Sequence, residues 1–147
     1  MISQRAKYAM RALVMLAKAP SGQSVSITEI SSEQKIPKKF LEQILLELKH
    51  HGLVESRRGK DGGYLMLRAP EDVTYGQVLR LVDGPLALLP CLSKIAYKKC
   101  EDCGDEARCE VRRVFAQVAV ATRKVLDGAT LQASIENDNS PIDIHLE

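Results

Sequence analysis

The stretch LVESRRGKDGGYLML, Leu53 to Leu67, restricts the possible folds more than any other part of the chain. Two short runs of β-type residues, Leu53–Ser56 and Tyr64–Leu67, flank a turn holding Gly59, Asp61, Gly62 and Gly63. That pattern predicts a β-hairpin with a glycine-rich tip, made basic by Arg57, Arg58 and Lys60. The residues before it predict helices. Residues 2–18 put Ala9, Leu13, Leu16 and Ala17 at helical spacing, widened by Met10 and Val14, until APSG stops the run. Ser26 and Glu29 form a capping box that opens a short second helix over 27–34. A third follows at once, with Pro37 in its first turn, an apolar face of Phe40, Leu41, Ile44, Leu45 and Leu48, and Gly52 as its stop. Three helices and then a basic hairpin is the order of a winged helix-turn-helix.

Beyond Pro70, Thr74 and Gln77 cap a short helix that Gly84-Pro85 ends. Residues 85–108 form a long connection. After it Val111, Val114, Phe115, Val118, Ala121, Thr122 and Val125 repeat at helical spacing, with Asp127-Gly128 as the expected C-cap. A brief helical piece from Thr130 and a polar tail close the chain. The expected fold class is mainly α with a small β-hairpin wing. It divides into a winged helix-turn-helix over 1–69, a cysteine-loop and dimerisation region over 70–135, and a flexible tail over 136–147. The apolar stripe of the long helix needs a partner. Folding back on the first helix would supply one, but the N-terminal module has used most of its apolar surface. The expectation is therefore a homodimer through this helix, presenting two recognition helices to a palindromic site.

Composition agrees with this organisation. A chain of 147 residues fits one domain with an appended element. Residues 1–69 carry 12 Lys/Arg against 6 Asp/Glu, whereas residues 70–147 carry 9 against 13. A basic N-terminal half joined to an acidic remainder fits a nucleic-acid-binding module coupled to a sensing or assembly module. No signal-peptide pattern opens the sequence, and no apolar run is long enough to span a membrane. The expected location is the cytoplasm, with no membrane partner.

All four cysteines fall inside nineteen positions, spaced Cys91-x8-Cys100-x2-Cys103-x5-Cys109. In a reducing compartment such crowding points to metal binding or redox sensing rather than structural disulfides. Iron–sulfur clusters and structural zinc both take cysteine thiolates, and C-x2-C suits either. A small thiol redox enzyme is the remaining alternative. It lacks a recognisable catalytic base or cofactor fingerprint, and no βαβ pattern surrounds the pair.

The segments AKYAMRALVMLA and LEQILLELKHHGLVESRRGKDGGYLMLRAPEDVTYGQVLRLVDGP, followed by loop cysteines, resemble the IscR/NsrR/RirA/CymR family of bacterial winged-helix transcriptional regulators. The resemblance covers roughly residues 1–135. It implies a homodimeric DNA-binding regulator with a long crossing helix and, in many members, an iron–sulfur cluster in the loop before that helix. It implies that Lys38, Lys39, Glu42 and Gln43 enter the major groove. There the lysines would meet phosphate, Glu42 would accept from cytosine N4, and Gln43 would pair with adenine. In the wing, Arg57 and Lys60 flank Arg58, which the resemblance sends into an A·T-rich minor groove. Cys91, Cys103 and Cys109 match the family's cluster ligands. Members complete the set with a histidine three residues after the last cysteine, or with an aspartate from the first helix. Those positions here are Arg112 and Lys7. Cys100 is the natural replacement, giving four thiolates from one subunit to an iron–sulfur cluster, [2Fe–2S] or [4Fe–4S], with zinc as the alternative occupant.

Overall fold

The computed structural model describes residues 2–137. The expected tail therefore lies outside the described residues from position 138 onward. The first helix, α1 (Gln4–Lys18), is capped by Ser3, whose hydroxyl accepts from the Ala6 N–H at 3.0 Å. Ala6, Ala9, Ala12 and Leu13 of α1 are fully buried. Three of these are alanines, so neighbouring elements approach its backbone closely, and α1 becomes the post around which the rest assembles.

Helix α2 (Ile27–Gln34) begins at the expected Ser26 cap, its Oγ accepting from Glu29 N–H at 3.1 Å. It ends at Lys35, held in the left-handed region at φ 51°. This turn buries Ile36, whose N–H donates to Ser31 O at 3.0 Å while its carbonyl accepts from Ser31 Oγ at 2.6 Å. Helix α3 (Lys38–His50) follows, with Pro37 at its N-cap, one position before the expected first turn. Leu41, Ile44, Leu45 and Leu48 are fully buried, and Phe40 stays half-buried, edge-to-face with Tyr8. Gly52 ends the helix at φ +69°, a conformation glycine adopts without steric cost.

The wing is β1 (Val54–Arg57) antiparallel to β2 (Gly63–Met66), with Val54 opposite Met66 and Arg57 opposite Gly63. Each strand is displaced by one residue from the expected run. Leu53 is excluded because its N–H is bound to Leu48 O at 3.0 Å, closing α3. Gly63 is included because the backbone of Val25 lies against it; a Cβ there would sit 2.2 Å from Val25 O. The neighbouring Tyr64 exchanges both backbone hydrogen bonds with Val25, at 2.8 and 2.9 Å. The wing is thereby stitched to the segment that leads into α2.

Helix α4 (Tyr75–Val82) is capped by the expected Thr74, its Oγ1 accepting from Gln77 N–H at 3.1 Å. The long helix α5 (Glu110–Gly128) and the short α6 (Leu131–Glu136) complete the described chain. The Asp127-Gly128 cap expected from the sequence is absent. The helix runs through Gly128 and ends at Ala129, while Asp127 is taken by an ion pair to Arg80 at 2.6 Å. Thr74 and Thr130 form an isolated antiparallel bridge, and Leu131 is fully buried in one core with Val73, Val78 and the apolar faces of α1–α3. The fold class is the mainly α winged helix with a hairpin wing that the sequence led us to expect.

Helix α5 meets α4 and the Pro90–Leu92 turn, and of its residues only Ala119 is buried. Val111, Val114, Val118 and Val125 are 57, 59, 40 and 67% exposed. Among the described residues nothing covers this part of the stripe. Among the described residues no helix is long and apolar enough to cross a membrane.

The contact at Gly63 makes a direct test of this packing. Gly63→Ala should lower stability by about 1–3 kcal/mol, because neither backbone can yield without breaking the Val25–Tyr64 bridge. Gly104→Ala, where an added Cβ meets nothing within 4 Å, is the control and should be neutral. Equal denaturation midpoints for the two variants would contradict the stitched wing.

Candidate functional site

Two surfaces carry the residues singled out by the sequence. On the first, Lys38, Lys39, Glu42 and Gln43 are all exposed on the face of α3 turned away from its buried leucines. Lys38 Nζ donates to Thr28 Oγ1 at 3.2 Å, tying the start of α3 to α2. Leu46, 49% exposed, extends this face and had no chemical signature in the sequence. On the wing, Arg57 is a brace as well as a cation: its guanidinium donates to Gly22 O at 2.8 Å and lies 3.7 Å from Glu55. Ser24 Oγ donates to Asp61 O at 2.6 Å and ties the tip to the same segment. Arg58 and Lys60 are exposed at the end of this braced hairpin.

The second surface is the cysteine loop between α4 and α5. All four cysteines are free thiols; Cys91 is buried, Cys100 exposed, and Cys103 and Cys109 half-buried. Cys91 lies in the 3-10 turn Pro90–Leu92. Lys98 N–H donates back to Pro90 O at 3.3 Å, and buried Ser93 accepts from Ala96 N–H at 2.9 Å. These bonds fold the long first interval on itself, so that Cys91 acts on the Cys100 thiol electrostatically. A tight turn follows, Cys103 N–H donating to Cys100 O at 3.3 Å. Cys109 is the N-cap of α5, its sulfur accepting from Arg112 N–H at 3.4 Å. Tyr97 Oη donates to Glu106 Oε1 at 2.7 Å and clasps the two arms of the loop around Cys100 and Cys103.

Desolvation, then the neighbouring Cys91, Asp102 and Cys103, push the Cys100 thiol above its ordinary value. Desolvation, then Cys109 and Glu106, do the same to Cys103, against a smaller opposing effect of Lys99. Thiols so placed hold their protons until a cation displaces them. In number and kind the donors fit a thiophilic centre. Cys100 feels both Cys91 and Cys103, and Cys103 feels both Cys109 and Cys91. Among the described residues no three His, Cys, Asp or Glu side chains converge in a geometry that holds a metal ion.

Sequence reasoning passed over two parts of this site. The Tyr97–Glu106 clasp has no local signature. Arg112, marked in the sequence only as the position of the family's missing histidine, shares the less exposed face of α5 with positions 115, 119, 122 and 126. Its Nε is buried without a hydrogen-bond partner.

A helix-turn-helix with a braced basic wing, followed by a long helix with an open apolar face, defines a winged-helix transcriptional regulator. The chain belongs to the Rrf2 family, described as iron-dependent transcriptional regulators, whose family model matches residues 2–137. It is 46% identical over 142 residues to a Rhodobacter capsulatus protein named as an rrf2-like HTH-type transcriptional regulator, covering 95% of each chain. It is 28% identical over 131 residues to CymR of Bacillus subtilis, covering 89% of this chain and 86% of that one. The solved structure of CymR (YrzC), the global cysteine regulator of B. subtilis, superimposes with a TM-score of 0.77 at 27% identity, over 92% of this chain and 96% of that one. T. potens IscR superimposes at 0.74 with 24% identity, over 97% and 93%, a likeness of fold alone. The family resemblance read from the sequence is borne out. These relatives are transcriptional regulators, and the chain is a regulator rather than a thiol enzyme.

The double duty of Cys109 can be separated by substitution. In metal-free protein Cys109→Ala should lower stability by about 1 kcal/mol through loss of the α5 cap, whereas Cys109→Ser should match or exceed the parent. Thermal melting of the three proteins checks this, and an equal loss in both variants would show that the sulfur does not act as a cap.

Proposed function

We propose that the chain is a homodimeric repressor that binds a palindromic operator. Its affinity would follow iron, iron–sulfur, nitric oxide or redox status through an iron–sulfur cluster held by Cys91, Cys100, Cys103 and Cys109. The observation that carries this reading is the grouping of four free thiols in the connection between α4 and α5, one of them the cap of α5 itself. When bound, such a cluster supplies an iron centre that oxidants, nitric oxide or iron shortage can dismantle. The protein's own part is mechanical. Cys109 is shared between ligation and capping, so a change in what the loop holds alters the first turn of α5.

The open valines of α5 support the dimer, since a contiguous apolar stripe in water is the kind of surface a second copy covers. In each protomer Lys38 and Lys39 meet phosphates at the N-terminus of α3, Glu42 accepts from cytosine N4, and Gln43 pairs with adenine. Arg57 holds the wing rigid, so that Arg58 enters a narrow minor groove with Lys60 on the adjoining backbone. The same four thiols would also suit a structural zinc ion, which is colourless and carries no sulfide.

Anaerobic purification distinguishes these occupants. The expected protein is brown, with iron and acid-labile sulfide that are lost in Cys91→Ala, Cys103→Ala and Cys109→Ala. Cys100→Ala should lose them too, or keep only a labile, spectroscopically altered cluster. Stoichiometric zinc with no sulfide would reject the cluster. A Cys100→Ala protein with parental iron, sulfide and absorption would remove Cys100 from the ligand set.

A further inference from the structure

Between α4, the start of the cysteine loop and α5 lies a cavity of about 180 Å³ that neither the DNA-reading surface nor the thiols account for. Its wall is mostly aliphatic, built from Leu86, Ala87, Leu92 and Ile95 of the loop and Ala119 of α5. Packed domains close voids of this size, because the lining of a gap forfeits its dispersion contacts.

The polar groups of the lining are unevenly satisfied. Arg80 and Asp127 neutralise each other at 2.6 Å. Arg123 Nε donates to Ala119 O at 3.1 Å, which tethers its guanidinium to α5. The other nitrogens of that guanidinium have no partner among the described residues, and neither does Lys94. Ser93 is the one buried polar side chain among the described residues, at 8% exposure. Its hydroxyl accepts from Ala96 N–H at 2.9 Å and donates to no acceptor among them. Buried donors are rarely left unmatched, so a lining with several of them calls for an acceptor from outside the chain.

Two uncompensated cations, a buried hydroxyl with a free hydrogen and an aliphatic wall are together the complement of a small organic anion. The guanidinium fork matches a carboxylate in geometry and charge. The volume equals about six waters at ~30 Å³ each, which limits the guest to about six to eight non-hydrogen atoms and excludes a nucleotide. We infer that this cavity is a binding site for a short aliphatic monocarboxylate. The donors of Arg123, Ser93 and Lys94 take the carboxylate, and Leu86, Leu92 and Ile95 take the tail. Such a guest touches α4, the residues next to Cys91 and α5 at once, and its binding does not depend on what the cysteines hold.

The test uses the full chain as purified, with sodium isovalerate as the probe and acetate, octanoate, isovaleramide and inorganic phosphate beside it. Calorimetry should find one isovalerate site per chain, and the melting temperature should rise with isovalerate concentration. Acetate leaves the aliphatic wall unfilled and octanoate exceeds the volume, so each should bind about 10-fold or more weakly. Isovaleramide, of the same shape without the charge, should show a similar loss of about 10-fold or more. Arg123→Met should weaken isovalerate to the same extent, whereas Lys124→Met, an exposed cation one position along α5, should bind as the parent does. Ala87→Leu keeps every charge and occupies the cavity, so it should abolish binding and decides the matter even where Arg123→Met lowers stability. Affinity that climbs steadily from acetate to octanoate, equal binding of isovaleramide, or tighter binding of phosphate would each overturn the inference. So would an absence of isovalerate binding at millimolar concentration, or parental binding by Ala87→Leu.

Discussion

The Thr74–Thr130 bridge fixes the relation between the wing-bearing half of the molecule and its long helix. Tyr75 N–H donates to Ala129 O and Leu131 N–H donates to Val73 O, each at 2.9 Å. These bonds are made in the register that drops Leu131 into the common core, where full burial of a leucine contributes about 1.5–3 kcal/mol. Gly76 belongs to the same junction: a Cβ there would meet Asp127 Oδ1 at 2.1 Å, in the carboxylate that pairs with Arg80. Ser3, at the start of α1, donates through its N–H to Asp83 at the end of α4, at 2.8 Å. The C-terminal end of α5 is thus held by backbone, ion pair and core together.

Its N-terminal end is held differently. There the helix begins at a sulfur, and the loop before it is closed by single hydrogen bonds such as Tyr97 to Glu106. A lever fixed at one end and loosely held at the other responds to whatever gathers the thiols. In the proposed dimer the same helix carries the seam, so a change at Cys109 reaches the partner along one rigid element. The fixed end packs on α4 and α4 on α1, against which α3 and the wing are packed, so the proposed signal would have a continuous path.

Much of this architecture was legible in the residues. Serine or threonine followed three positions later by glutamate or glutamine located the Ser26 and Thr74 caps, because the cap is a local hydrogen bond between near neighbours. The leucines of α3 declared their buried face by spacing alone. What escaped was set by contacts distant in sequence. Gly63 was read as a turn residue, although its lack of a Cβ serves the approach of Val25. Asp127-Gly128 looked like a helix cap, but Arg80, 47 positions earlier, claims the carboxylate. The cysteine spacing gave a candidate donor set, whereas the folding of the interval after Cys91 depends on the Lys98–Pro90 and Ala96–Ser93 bonds.

The central claim is that the contents of the cysteine loop and the DNA-reading surface are coupled through α5. The most direct measurement is operator affinity for one anaerobic preparation before and after its metal centre is removed by chelation, at fixed salt. The duplex would be selected from a random pool, and the dimer would be verified by sedimentation in both states. The account predicts that the two dissociation constants differ by roughly 5-fold or more, the usual lower bound of allosteric coupling. Superimposable binding isotherms for the loaded and emptied dimers would contradict it.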